Sequence, residues 1–385
     1  MELTEDLLAI REGIAALCAD FPDEWWQAQD SAHKFPHLFY DAIAKAGFLG
    51  ICVPEEFGGS GLGITEAAVM MEAISGSGAG LSGASAIHMN IFGLNPVIVF
   101  GNQAQKERAL PPLVAGREKA CFGVTEPGSG LDTTRLTTRA ERVEGGWSVT
   151  GQKIWISTAQ VADRILLLAR TAPRDEGKPT HGLSLFYTAL DRSRCSVREI
   201  EKMGRAAVDS NEIFFDGYAI PAEDLVGAEG QGFRQILHGL NPERILIAAE
   251  AVGLGRAALR RATAYAKERV VFGRPIGMNQ SIQHPLAEDW MALEAAWLMV
   301  LHAARLYDAG RPCGVEANAA KYLAAEAATK TCRDAIATHG GMGYAREYHV
   351  ERYLREAMIP WLAPVSPNLI LCHVAEKALG LPRSY

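Results

Sequence analysis

The spacing of apolar residues changes twice along this chain of 385 residues, and this change limits the folds open to it. From residue 1 to about 117, apolar residues recur every three or four positions, as in LTEDLLAIREGIAAL, which is typical of amphipathic helices. Between about 118 and 226 the chain consists of short runs rich in β-branched and aromatic residues, such as WSVTGQKIWIS. From about 229 the helical spacing returns and continues to the end. The order of structure is therefore α, β, α.

This order predicts a multi-domain α+β protein. We expect an N-terminal all-α domain over 1–117, a middle antiparallel β-barrel domain over 118–228 and a C-terminal four-helix-bundle-like domain over 229–385. An antiparallel barrel or sandwich is favoured for the middle domain because no helical pattern lies between its strand-like runs. The C-terminal helices are predicted over 242–269, 281–309 and 315–338, with shorter ones near 345–358 and 367–379.

Composition and charge argue against several classes of protein. The net charge is 38 minus 45, or −7, and no run of Lys and Arg stands out, so we expect no nucleic-acid partner. The longest apolar stretches are too short to span a membrane, and the acidic, helical N-terminus is unlike a targeting signal, so we expect no membrane association and a cytoplasmic location. Seven scattered cysteines and ten histidines form no CxxC or HExxH pattern, so no metal site is expected.

One phosphate-binding pattern is present but lies in the wrong place. Gly78, Gly80 and Gly83 match GxGxxG, but they follow the helical stretch ITEAAVMMEAIS, whereas a dinucleotide-binding loop follows a strand. We therefore do not expect a Rossmann-type phosphate loop. The sequence also contains no GxSxG and no GxxxxGK[ST] motif, which argues against the commonest hydrolase and nucleotide-triphosphatase sites.

A carboxylate stands in front of an almost wholly apolar helical stretch, in GLNPERILIAAEAVGLG. Asn241, Pro242 and Glu243 can be interpreted as an N-cap, a first-turn proline and an acid at the positive end of the helix dipole. Such an acid stabilises a helix by about 0.3 to 1 kcal/mol. On this stretch alone, a capping role is favoured over a catalytic one.

Four motifs in a fixed order are more specific. CFGVTEPGSGLD (121–132), GQKIWIS (151–157), ERVVFG (268–273) and HGGMGY (339–344) together resemble the acyl-CoA dehydrogenase family of flavoproteins, and the resemblance covers essentially the whole chain. It implies an FAD cofactor between the barrel and the C-terminal helices, with a neighbouring subunit of a homotetramer completing the site. It also implies an acyl-CoA substrate, α-proton abstraction by a base, β-hydride transfer to flavin N5 and an electron-transfer flavoprotein as acceptor.

The resemblance also assigns residues to the cofactor. Trp155 would pack against the flavin ring, and Ser157 stands where the family usually has a Thr that bonds flavin N5. Gly128 and Gly130 would let the backbone approach the diphosphate closely. A plain core role for Trp155 and a simple turn at TEPGSG remain open as alternatives. The full set of predicted FAD contacts is Phe122, Val124, Thr125, Gly130, Trp155, Ser157, Arg269, Phe272, Gln280, Gly341, Ser366 and Asn368.

Two positions depart from the family pattern. Leu131 replaces a Ser, which removes one hydrogen bond worth about 0.5 to 1.5 kcal/mol. Pro364 falls where many members carry the catalytic base, and a proline is no base. In another branch of the family the base lies at the start of the long helix, in stretches resembling LxxERLxxA, and NPERILIA matches that pattern. Glu243 is thus the expected base, and Leu131, Asn241 and Arg244 are the expected substrate contacts.

The sequence therefore predicts an FAD-dependent acyl-CoA dehydrogenase that forms a trans-2-enoyl-CoA. Pro364 and Leu131 leave open an oxidase, monooxygenase or desulfinase on the same fold, and a non-catalytic flavin-binding protein is the third alternative. Burial in an apolar cavity would raise the pKa of Glu243 and a helix N-terminus would lower it, so the sequence does not decide its protonation. Acyl chain length is not predicted.

Overall fold

The N-terminal part of the chain is helical, as predicted. The computed structural model describes residues 3–384, with the side chain of residue 92 left aside. Local capping follows the sequence: the Thr4 hydroxyl accepts from the Leu7 amide, and Asn102 and Gln105 form a capping box. The helices are α1 (Glu5–Cys18), α2 (Asp23–Ala32), α3 (His37–Lys45), α4 (Ile64–Ile74), α5 (Gly80–His88), α6 (Asn95–Phe100) and α7 (Gln103–Val114).

The glycine-rich segment after α4 forms no phosphate loop. A π-helical turn, Ser75–Ala79, joins α4 to α5, and a second one, Met89–Gly93, joins α5 to α6. Gly78, Gly80 and Gly83 thus lie in a helical connection that follows a helix. The prediction that this GxGxxG pattern is no dinucleotide-binding loop is confirmed.

The middle part of the chain forms a sheet of eight strands. Seven of them follow the order β6-β7-β3-β2-β4-β5-β8, and β1 pairs in parallel with β4. The predicted closed antiparallel barrel is therefore wrong in two respects, because the sheet is open and β1 and β2 pair in parallel with β4. Closure depends on which edge strands meet, and a local strand pattern does not contain that information. The strands are β1 (Ala120–Gly123), β2 (Arg139–Val143), β3 (Gly146–Ser157), β4 (Arg164–Arg170), β5 (Leu183–Ala189), β6 (Ser196–Glu199), β7 (Ser210–Pro221) and β8 (Leu225–Val226).

The C-terminal part is again helical and is built around α8, which has 37 residues. A short hairpin of β9 and β10 follows α8. The elements are α8 (Gly232–Glu268), β9 (Val270–Val271), β10 (Arg274–Pro275), α9 (Gln280–Asp308), α10 (Gly314–His339), α11 (Val350–Leu362) and α12 (Pro367–Leu379). The domain boundaries near 117 and 228 stay predictions.

Helix α8 begins earlier than predicted. It starts at Gly232, ten residues before the predicted start at 242, so Pro242 lies inside the helix. The early turns are held by tertiary packing, since Ile236 belongs to a buried cluster with Leu183 and Val226 of the sheet. The interpretation of Asn241 as N-cap is therefore wrong, and Glu243 does not face a free helix N-terminus. Pro242 still marks a discontinuity because it has no N–H for the helical ladder.

Helix α8 also joins the two helical regions. One buried cluster contains Ile245 and Val252 of α8, Met70 of α4 and Val300 of α9. Gly253 allows this close packing, because a Cβ built there would lie 2.2 Å from the carbonyl oxygen of Glu72 on α4. The core therefore fixes α8, and with it Glu243, relative to the rest of the molecule.

Replacing Gly253 by Ala is expected to lower the free energy of unfolding by about 1 to 3 kcal/mol, because the added methyl group forces α8 and α4 apart. Gly13→Ala is the matched control. Gly13 also lies inside a helix, but its Cβ would make only an ordinary contact, 3.7 Å from the Phe48 ring. The control should be neutral or stabilising by up to about 1 kcal/mol. Urea unfolding measures both, and equal effects would contradict the packing argument.

One helical stretch, Ile64–Phe100, is long and apolar enough to cross a membrane by length and composition alone. Of its most apolar window, 76% is buried inside the protein, as is usual for a core helix. Helices α11 and α12 pass the same test only when taken together, across a bend of 43°. These observations are weak evidence for a span.

Candidate active site

Two of the sequence motifs meet beside β3. The amide of Ile154 donates to the carbonyl oxygen of Thr125, at 2.9 Å, and this bond places TEPGSG next to IWIS. Trp155 lies in an irregularity of β3, where the pairing with β7 shifts between Lys153 and Ile156. Its backbone is left-handed, with φ 62°, and 56% of the residue is exposed. A bulge that turns a large aromatic ring outwards is common beside binding sites, and it argues against a plain core role for Trp155.

A buried ion pair between Lys153 and Glu126 stabilises the backbone where TEPGSG meets β3. Lys153 donates to Glu126, at 2.8 Å, and to the carbonyl oxygen of Val124, at 3.0 Å. Glu126 also accepts from the amides of Thr137 and Thr138. Burial alone would raise the pKa of Glu126, but Lys153 and these hydrogen bonds hold it at about 2. The pair therefore fixes the backbone on either side of Thr125.

Ser157, at the end of β3, is bonded to an arginine that the sequence did not single out. Arg205 donates to the hydroxyl oxygens of Ser157 and Ser210, both at 3.1 Å, and to Ser85 of α5, at 3.0 Å. Its backbone is left-handed, with φ 57°. Arg205 thus connects the predicted flavin strand to α5.

The TEPGSG turn has the shape of an open cradle. A Cβ added to Gly128 or Gly130 would meet no atom within 4 Å. The hydroxyl of Ser129 is buried and has no hydrogen-bond partner among the described residues. Leu131 is 65% exposed, while Asp132 accepts from the Thr134 amide and caps the following turn.

Helix α5 contacts both Arg205, which is bonded to Ser157, and helix α8. Three residues after Ser85, His88 contacts the carboxylate of Glu250 through Nδ1. Glu243 lies on α8 seven residues before Glu250, or about two turns, so the two carboxylates project from the same face of the helix. These contacts link Thr125, Trp155 and Ser157, through Arg205 and α5, to the helix that carries Glu243.

Glu243 is half-buried and has an altered pKa. Burial raises its pKa from the ordinary 4.5 to about 7, against the opposing effects of His88, Arg244 and Lys321. The balance left open by the sequence is thus decided by burial, because Glu243 lies inside the helix. A carboxylate with this pKa is suited to general-base catalysis near neutral pH.

A cavity of about 370 Å³ has Asn241 and Arg244 of α8 in its wall. Arg244 donates to the side-chain oxygen of Asn241, at 3.0 Å. Helix α12 and the C-terminal segment form the opposite wall, which includes His373 and Arg383. The two predicted substrate contacts on α8 therefore line one cavity, whereas Leu131 lies on the TEPGSG turn.

Pro364 lies in the loop between α11 and α12, where the alternative base of the family would be. Lys321 of α10 is buried and donates to the carbonyl oxygens of Val365, at 2.7 Å, and Trp361, at 3.4 Å. Ser366 caps α12 by accepting from the Leu369 amide, and Asn368 is exposed. The loop is thus positioned by backbone contacts and supplies no carboxylate.

Four of the predicted cofactor residues lie on a different surface. Arg269 ends α8, Phe272 lies in the β9–β10 turn, Gln280 begins α9 and Gly341 follows α10. All four are exposed, and Phe272 completely so, with φ 53°. Their elements pack against the C-terminal helices, so within one chain the structure does not bring them to the Thr125–Trp155 junction. Phe122 and Val124, by contrast, lie on or directly after β1 and pack into the interior.

Sequence reasoning missed four charged residues in this region, which are His88, Arg205, Glu250 and Lys321. One signal was present: Glu250 interrupts the apolar run IAAEAVG, and a charge in a buried helix requires a partner. Nothing local marked Arg205 or Lys321, whose partners are distant in sequence.

The residues at the junction fit a flat ring with a diphosphate tail. An exposed indole offers a stacking face, the glycine turn leaves space for phosphate oxygens, and Ser129 and Arg205 each keep a buried polar atom without a partner among residues 3–384. Within the same residues, no group of three or more His, Cys, Asp and Glu side chains could hold a metal ion. The donor set therefore suits an organic cofactor.

Comparisons with known proteins identify the family of the chain. The acyl-CoA dehydrogenase N-terminal, middle and C-terminal domain families match residues 4–117, 121–218 and 230–361. The acyl-CoA dehydrogenase FadE12 of Mycobacterium tuberculosis is 37% identical over 99% of this chain and 98% of its own length. Butyryl-CoA dehydrogenase from Megasphaera elsdenii has a TM-score of 0.90 at 31% identity, covering 99% of this chain and 100% of the other. An FAD complex of PigA has a TM-score of 0.93 at 28% identity, with 99% of each chain covered. The resemblance noted in the sequence is confirmed, and the chain belongs to the acyl-CoA dehydrogenase family.

Proposed function

We propose that this protein is an FAD-dependent oxidoreductase that converts an acyl-CoA thioester to the trans-2-enoyl-CoA. The observation that carries the proposal is the connected set of contacts from Ser157 through Arg205 and α5 to Glu250 of α8. These contacts support a role for Glu243, a half-buried carboxylate on the same helix as Glu250. The family relationship supports FAD as the cofactor.

Each residue of the site has a role in this reaction. FAD supplies the hydride acceptor. Trp155 would offer its face to the ring, and Ser157, held by Arg205, would hydrogen-bond the ring edge. Glu243 removes the α-proton of the thioester, and its pKa of about 7 leaves a large share of the carboxylate ionised at neutral pH. Leucine and proline at 131 and 364 do not interfere with these roles, because Glu243 supplies the base.

The CoA part of the substrate is proposed to enter through the cavity beside Asn241. Arg244 and Arg383 line this cavity, and cationic side chains suit the phosphate groups of CoA. Glu376 is the opposing charge in the same wall. An acyl group directed inwards from this cavity would run along α8 past Glu243.

The proposed reaction is tested by anaerobic mixing of the FAD-loaded protein with a panel from butyryl-CoA to palmitoyl-CoA, including branched chains. We expect loss of the oxidised flavin absorbance with at least one substrate and recovery of a product lighter by two hydrogens. Rapid oxygen consumption without another acceptor would instead favour an oxidase or monooxygenase. A colourless protein that takes up no FAD would contradict every flavoenzyme hypothesis.

A homotetramer is proposed because Arg269, Phe272, Gln280 and Gly341 form an exposed surface suited to the cofactor of a neighbouring subunit. Phe272→Asn tests this, since Asn tolerates the left-handed backbone that Phe272 adopts. We expect weaker assembly in sedimentation velocity and a lower ratio of flavin to protein. Leu38→Asn, which alters an exposed apolar residue of α3, is the control and should change neither. A fully flavin-loaded monomer would contradict the shared site.

The electron acceptor and the location are proposed on the same basis. An electron-transfer flavoprotein is the proposed acceptor, as the sequence resemblance suggests, and the cytoplasm is the proposed location. Reduction of a purified electron-transfer flavoprotein by the acyl-CoA-reduced protein tests the first of these, and a failure to reduce it would point to another acceptor.

A further inference from the structure

His88 and Glu250 form an ion pair inside the protein. The Glu250 side chain is 0% exposed and that of His88 is 12% exposed, and the two are in direct contact. The second oxygen of Glu250 has no hydrogen-bond partner among the described residues. A buried ion pair of this kind is a weak source of stability, because desolvation of the charges offsets their attraction. A gain in stability therefore does not explain why His88 and Glu250 are paired at this position.

The pair lies next to the proposed base. Glu250 and Glu243 project from the same face of α8, and His88 reaches that face from the end of α5. The charge of His88 acts on Glu243 more strongly than that of Arg244, Glu250 or Lys321. His88 is thus the cation that most lowers the pKa of Glu243.

Charged groups approach this region from four elements. Glu243, Arg244 and Glu250 belong to α8, and His88 belongs to α5. Arg205 comes from the loop before β7 and acts on both His88 and Glu250. Lys321 comes from α10 and acts on Glu243.

We propose that Glu250 holds His88 in its charged form, and that charged His88 is a positioning residue that favours the ionised form of the Glu243 base. The proposal rests on the proposed function for the role of Glu243. It assigns a task to a buried pair that belongs to none of the sequence motifs.

The direction of the effect follows from the charges. Burial lowers the pKa of His88, but the charge and hydrogen bond of Glu250, together with the charge of Glu243, outweigh burial and raise it above its ordinary value. Charged His88 in turn lowers the pKa of Glu243 from the value that burial alone would give. Losing the charge on His88 therefore raises the pKa of Glu243, and the base becomes protonated over a wider range of pH.

Three variants test the proposal, with the second-order rate of flavin reduction by the best acyl-CoA measured against pH. In His88→Gln the acid limb of the profile should move to higher pH by about one pH unit. Glu250→Gln and the double variant should move it in the same direction but by less, because the charge of Glu250, which raises the pKa of Glu243, is lost as well. Above the limb the variants should approach the parental rate, which a merely structural defect would not allow.

Glu72→Gln is the matched control. Glu72 of α4 is also buried, and it pairs with Arg256 of α8, farther along the same helix. The same chemical change there should leave the acid limb in place. A limb that stays at the parental pH in both His88→Gln and Glu250→Gln would overturn the proposal.

An infrared titration separates this proposal from the proposed function. The carboxyl band that disappears in Glu243→Gln reports the protonation of Glu243 without any substrate. If no acyl-CoA reduces the flavin, the proposed function fails, and the band still shows whether His88→Gln raises the pKa of Glu243. If acyl-CoA reduces the flavin but the band titrates identically in both proteins, only the inference about His88 fails.

Discussion

Replacing Glu243 by Gln is expected to slow flavin reduction by acyl-CoA by about 10²- to 10⁴-fold, the usual effect of removing a general base. Gln has nearly the same size as Glu but cannot accept the α-proton. Because Glu243 lies inside α8 and caps no helix terminus, the change should leave folding and FAD content intact. Anaerobic stopped-flow measurements of the flavin absorbance give the rate.

The control for this prediction is again Glu72→Gln, which makes the same change on a different helix and should retain the parental rate. Flavin content should match the parental protein in both variants. The midpoint of unfolding should be parental in Glu243→Gln and lower in Glu72→Gln, because Arg256 loses its charged partner there. Reduction of Glu243→Gln at the parental rate would show that another group removes the proton, or that the reaction is not α,β-dehydrogenation.

The second large effect is expected from Lys153→Met, which should lower the free energy of unfolding by about 3 to 5 kcal/mol. The change leaves the buried carboxylate of Glu126 without its cation, and breaking a buried ion pair from one side typically has this effect. Val124 also loses a hydrogen bond at its carbonyl oxygen. Since Thr125, a predicted FAD contact, lies between Val124 and Glu126 in the chain, FAD affinity should fall as well. Denaturant unfolding and flavin titration measure the two consequences.

Two further variants make this prediction specific. In the double variant Lys153→Met with Glu126→Gln, no charge is left unpaired, so part of the lost stability should return. Arg139→Met removes the cation of an exposed pair with Glu141 and should change stability by less than about 1 kcal/mol. Equal losses in Lys153→Met and Arg139→Met would contradict the role given to the buried pair.

Much of the fold could be predicted from local pattern. Helix α9, predicted over 281–309, spans Gln280–Asp308, and α12 was predicted at its observed bounds. These helices have regular spacing and clear turn residues at their ends. The start of α8 could not be predicted, because Asn241 and Pro242 mimic a helix start while the packing of Ile236 on the sheet extends the helix backwards.

The candidate site was only partly accessible from the sequence. Motif residues such as Thr125, Trp155 and Glu243 could be recognised because each belongs to a contiguous pattern. His88 and Arg205 could not be recognised, because their roles depend on partners that are distant in sequence. Glu250 is 162 positions from His88, and Ser85 is 120 positions from Arg205. Sheet closure was missed for the same reason, since it depends on contacts between strands distant in sequence.

The most direct test of the account is the pH dependence of flavin reduction at low acyl-CoA concentration, which reports the free protein's essential base. Below its pKa of about 7, Glu243 is protonated and cannot act, so the second-order rate constant should rise with pH through about 7 and then level off. The same limb should be absent from the residual rate of Glu243→Gln. A rate constant that does not change with pH across this range, or an unchanged limb in Glu243→Gln, would contradict the assignment of Glu243 as the base.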